Sequence, residues 1–129
     1  MKYLVIQDAI SGGQGLAFDL RDVLGAIGDK GNDSVWRVSD VEASGGESAL
    51  ALERAADSGR NLTWTELRDL ARGVVQVIDG VFTGRLPGKV EPWLIIRAVD
   101  SSAYDIESND EDVLRRVRAA FKDVKEVQP

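Results

Sequence analysis

The 129-residue chain contains no histidine and no cysteine. These two absences exclude disulfides, thiolate catalysis, Cys- or His-ligated zinc, imidazole general bases and Ser-His-Asp triads. Any chemistry must rest on carboxylates, Lys, Arg, Tyr or Ser. No recognisable catalytic motif is present, which argues against an enzyme, and no cofactor or metal is implied. Proline is scarce, with three residues, so little interrupts helices and strands apart from the loop marked by Pro87-Gly88 and Pro92. Positive charge is in the minority: 16 Lys and Arg stand against 22 Asp and Glu, a net charge of -6. Such a field repels phosphate backbones and attracts basic proteins, so general nucleic-acid binding is disfavoured and only a local basic stripe remains open. Long apolar runs are missing too. The N-terminal MKYLVIQDAI is too short in its apolar part for a signal peptide or a membrane span, so a cytoplasmic protein without a membrane role is expected. Arg outnumbers Lys about two to one, which points to a GC-rich bacterial gene.

What is present suits one domain over residues 1–129, able to bury roughly two-thirds of its unfolded surface. Lys2 to Gln7 reads as a strand with apolar residues on both faces, hence central in its sheet. After a Gly-rich loop at 11–15, Leu16, Leu20, Val23, Leu24 and Ile27 follow helical spacing, with Gly28 as the stop. Ser34 to Glu42 reads as a strand. Ser44 and Glu47 stand in capping-box spacing ahead of an Ala-rich helix that ends near Gly59. Thr63 and Glu66 form a stronger box, with Leu62 and Leu67 at the hydrophobic-staple positions, and that helix is expected to run through Val74 and Ile78 to Gly80. Val81 to Leu86 reads as a short strand. Trp93 to Ile96 and Tyr104 to Glu107 form a hairpin about the turn Asp100-Ser101-Ser102-Ala103. Ser108 and Asn109 then open a helix with acids in its first turn, basic residues after them, and Val113, Leu114, Val117, Ala120 and Phe121 as its apolar stripe. Val124 to Val127 can close the chain as an edge strand.

Several residue groups are candidates for function. Asp100, Ser101 and Ser102 at the hairpin tip, with Arg97 and Tyr104 nearby, make the best polar cluster, although turn chemistry explains the first three as well. Asp105, Glu107, Asp110 and Glu111 crowd one stretch and predict a negative patch suited to a basic partner. Trp64, beside its capping box, is expected to be partly exposed and to anchor an interface. Ser11, Gly12, Gly13 and Gln14, ahead of a helix, offer amides to a small anion. Ile10 to Gln14 resembles the signature motif of ABC transporter ATPases, but no phosphate-binding G-x-x-x-x-G-K-[ST] accompanies it. Gly12-Gly13-Gln14 is also the tripeptide of peptide-chain release factors. Those surround it with basic residues, whereas Asp8, Asp19 and Asp22 flank it here.

The expected architecture is α+β: a mostly antiparallel sheet of four to six strands, with three to four helices packed chiefly on one face. In size, acidity and lack of catalytic residues the chain is similar to small bacterial proteins that include immunity proteins of toxin systems. The leading expectation is a protein-binding module, such as an inhibitor or immunity protein for a basic partner, and a homo-oligomer is compatible with it. A small-ligand or regulatory domain using loop 11–15 is the alternative, and a carboxylate-dependent enzyme a second.

Overall fold

The computed structural model describes residues 1–10 and 15–128. Its elements are β1 (Lys2–Ile6), α1 (Leu20–Ile27), a 3-10 turn (Gly28–Gly31), β2 (Val35–Ser44), α2 (Gly46–Ser58), β3 (Leu62–Thr63), α3 (Trp64–Gly73), β4 (Gln76–Arg85), β5 (Leu94–Val99), β6 (Ala103–Ser108), α4 (Glu111–Ala120) and β7 (Val124–Val127). All strands join one antiparallel sheet in the order β3-β2-β4-β5-β6-β1-β7. The class is therefore α+β, with seven strands rather than four to six. The short edge strand β3 is the added one, and β4 is the expected Val81 strand extended back to Gln76.

Alternation along the strands separates two faces. Leu4, Ile6, Trp36, Val38, Phe82, Leu94, Ile96, Tyr104 and Ile106 are buried on one face. They join the apolar stripes of the four helices, Leu20, Val23, Leu24 and Ile27 from α1 and Val113, Leu114 and Val117 from α4 among them, in one core. Close packing on this face uses the absence of a side chain. A Cβ at Gly84 would lie 2.8 Å from the Trp36 ring, and one at Gly31 would lie 2.5 Å from Trp64.

Local signals explain most of the element boundaries. The Thr63 hydroxyl accepts from the Glu66 N–H at 3.1 Å, and the Glu66 carboxylate accepts from the Thr63 N–H at 3.0 Å. Both the Thr63 N–H and Arg60 hold the Glu66 carboxyl below its ordinary range. The Ser44-Glu47 box does not form, because Gly45 and Gly46, both at positive φ, turn the chain and Gly45 takes the cap position. Helix α3 stops at Gly73, well before Gly80. The run Val74-Val75-Gln76-Val77-Ile78 is rich in β-branched residues and turns extended, so Gly80 lies inside β4. Helix α1 begins only at Leu20, and Leu16 instead bridges Ala9. Strand β1 lies second from one edge of the sheet rather than at its centre, with Tyr3 and Val5 half-buried on the face away from the helices. In α4, Asp110 is the cap, accepting from the Asp112 and Val113 N–H groups, and Phe121 is only half-buried while Ala120 is exposed.

A buried polar tie locks the layers together. The Asp19 side chain accepts from the Tyr104 hydroxyl at 2.5 Å and from the Val77 N–H at 3.0 Å, joining the start of α1 to β4 and β6. Burial, followed by the Asp19 charge, drives the Tyr104 hydroxyl far above its ordinary pKa.

Candidate functional site

The face of the sheet turned away from the helices is the candidate site. Register places Tyr3, Glu107, Ile95, Thr83 and Arg37 side by side in one row across the strands. Val5, Asp105, Arg97, Val81 and Ser39 form the next. At the centre, Arg97 Nη1 donates to Glu107 Oε1 at 3.0 Å, and the Tyr3 hydroxyl donates to Asp105 Oδ2 at 2.6 Å. The guanidinium also stands 5.9 Å from the centroid of the Tyr3 ring. The bond to Asp105, followed by burial, raises the Tyr3 pKa. Arg97 and Glu107 keep roughly a third and a quarter of their side-chain surface in solvent. A pair so exposed contributes about 1 kcal/mol or less to stability, so its arrangement matters more for what the face presents. Half-buried Val5, Val81 and Ile95 surround the pair, and Val35, Val99 and Val127 on the same face are 39%, 39% and 41% exposed.

The end of this face next to the β5–β6 turn is acidic. Asp40 and Asp79 line a shallow depression with Val81, Arg97 and Val99. Asp79 Oδ1 accepts the Asp100 N–H at 2.8 Å. Asp40, Asp100 and Ser101 are the non-glycine residues at positive φ among the described residues, at 53°, 48° and 57°. Asp tolerates this conformation better than most residues. Asp40 lies within the β-bulge of β2, where the register shifts between Ser39 and Glu42. Asp100 and Ser101 are the two central residues of a turn closed by the Ser102 N–H to Val99 carbonyl bond at 2.9 Å, and strand pairing resumes between Val99 and Ala103. Asp100 therefore sits one place later in the turn than the sequence suggests.

The structure divides the candidate residues read from sequence. Arg97 and Glu107 meet on the open face. Asp100, Ser101 and Ser102 stand at its acidic end, where the Ser102 hydroxyl donates to the Val99 carbonyl at 2.9 Å. Tyr104 points to the opposite face, into the core. Trp64 is 2% exposed and stacks on Gly31, with the Trp36 ring centroid 5.7 Å away, so it is a core residue and no exposed anchor. Glu111 lies at the far end of the sheet, 2.7 Å from Lys2. Of the negative patch expected at Asp105, Glu107, Asp110 and Glu111, the last three carboxylates meet Arg97, Lys30 and Lys2, while Asp105 accepts from the neutral Tyr3 hydroxyl and keeps its charge. For Asp110, burial pushes the carboxyl upward, but the Val113 N–H, Lys30 and the Asp112 N–H outweigh it and hold the pKa below its ordinary value. Ser11, Gly12, Gly13 and Gln14 lie outside the described residues. Tyr3, Asp40 and Asp79 are among the polar residues of the face that the sequence does not mark as site members. Their signal was the period-two alternation of the strands, which places residues from distant strands in one row only once the strand order is known.

Among the described residues no group of three or more acidic side chains is placed to hold a metal ion, and no helix is long and apolar enough to cross a membrane. Comparisons with protein-family models, curated proteins and solved structures give no match to this chain.

Proposed function

We propose that this chain is a protein-binding module that receives a basic partner on the open face of its sheet. The observation that carries the reading is that face itself: apolar side chains left partly in water around a fixed Arg97–Glu107 pair, with acidic residues at one end. An uncovered patch of this mixed character suits a partner better than it suits solvent. The net charge of -6 supplies long-range attraction for a basic protein, and Asp40, Asp79 and Asp100, which have no ion pair among the described residues, give that attraction a place to act. Inhibition or immunity toward such a partner is the finer form of this reading.

Binding kinetics across a salt series test it, using a partner captured from the source cells on immobilised wild-type chain. Val81→Asp and Val99→Asp should abolish capture, and Asp79→Lys should slow association more than it changes dissociation. Arg54→Glu, on the exposed side of α2, should leave capture intact. Equal capture by all variants would move the binding surface off the sheet.

One observation favours a small-ligand role as a second reading. At the turn end of the sheet a cleft of about 340 Å³ is lined by Ile10, Leu16, Phe18, Asp19, Val75 and Ser101. A metabolite that raises the melting temperature through this cleft, with no protein captured, would favour that reading.

A further inference from the structure

We infer that the groove between α1 and α3, on the helical side of the molecule, is a binding site for an oxyanion. The groove has a volume of about 160 Å³ and is lined by Arg21, Asp22, Leu24, Arg68 and Arg72. In a chain whose acids outnumber its bases, three arginines and one carboxylate line this groove. That carboxylate is already engaged, since Asp22 Oδ2 accepts the Asp19 N–H at 2.9 Å. Arg60, Arg97, Arg116 and Arg118 each have a carboxylate oxygen within 3.0 Å. In the groove the described residues give Arg72 alone a carboxylate, Asp69 at 3.4 Å with both side chains well exposed.

Two of the three cations are held from behind. Arg68 sits 5.8 Å above the ring of Trp64, one helical turn earlier. Arg21 Nη1 donates to the Val74 carbonyl at 3.4 Å. Arg68 and Arg72 are also spaced i, i+4, and like charges at that spacing repel. Arg21 adds a third positive charge from the neighbouring helix. A bound oxyanion relieves this repulsion, and the planar forks of guanidinium groups match the paired oxygens of a phosphate or carboxylate. The site thus takes a small ligand bearing one of these groups, on a surface separate from the open sheet face.

The test is an NMR titration of the arginine Nε–H signals with inorganic phosphate, in parallel with acetate, at an ionic strength held constant by chloride. The Arg21, Arg68 and Arg72 signals should shift and saturate together with one Kd, while Arg54 stays still. Arg68→Gln and, independently, Arg21→Gln should each raise that Kd at least tenfold while the melting curve remains cooperative. Saturation by phosphate alone identifies a phosphate-bearing ligand, and tighter saturation by acetate a carboxylate. Linear shifts shared by all arginines, or an unchanged Kd in both variants, would overturn the site.

Discussion

The two faces of the sheet are built from the same strands, so the chemistry of each face depends only on which alternate residues it carries. On the covered face, Phe82, Ile96 and Ile106 are fully buried under the helices, and the main polar intrusion, Asp19 with Tyr104 and Val77, is hydrogen-bonded within itself. The open face keeps valines and Ile95 beside charged groups that remain partly in water. One arrangement stores stability. The other holds an apolar surface at a cost that folding alone does not require, and this difference is why function is assigned to the open side.

The largest effect should separate the faces directly. Phe82→Ala removes a wholly buried ring and should cost about 3–5 kcal/mol in a urea melt, whereas Ile95→Ala, on the neighbouring strand but the open face, should cost less than about half of that. Equal losses would mean that the open face is packed like a core.

The buried tie should come next. Asp19→Ala leaves the Tyr104 hydroxyl and the Val77 N–H without their acceptor, at an expected cost of about 2–4 kcal/mol in the same assay. The sign of the pH dependence follows from the raised Tyr104 pKa. Its contribution is fully present below about pH 10, the unfolded value, and is lost as pH climbs toward the folded one. Tyr104→Phe should therefore flatten the decline of stability above about pH 10, and an unchanged slope would show that this hydroxyl does not report on folding.

Smaller effects belong to the helix starts. Thr63→Ala should cost about 1 kcal/mol, and its combination with Glu66→Ala should be less than additive, because both residues serve one box. Additive shifts of the denaturant midpoint would mean that the two bonds act separately. Asp110, with its depressed pKa, contributes stability above about pH 4 that fades as pH falls through its folded value. Asp110→Asn should make that acid limb shallower in thermal melts.

Much of the fold was legible in the sequence because local rules set it. The Thr63-Glu66 box, the Gly28 and Gly59 stops, the turn after Val99 and the stripe Val113-Leu114-Val117 all depend on neighbours within a few positions. The boundary at Gly73 was not legible, because Val74 and Ile78 fit a helical stripe as well as they fit a strand. Extended structure wins there through pairing with β2, a contact that local spacing does not show. Of the candidate site, Arg97 and Glu107 were found through their closeness to the hairpin. Tyr3 and Asp79 were missed because they come from strands far away in the chain. The exposure expected of Trp64 failed for a related reason: its place beside a helix cap says nothing about Gly31, against which it packs.

The central claim is that the open face, and not the helical side, meets a partner. A photo-crosslinking residue placed at Ile95 and, separately, at Arg54 on α2 tests it most directly in the source cells. The account predicts a single adduct of defined mass from position 95, lost when Val99→Asp is added, and none from position 54. An adduct from position 54 alone, or equal adducts from both, would contradict it.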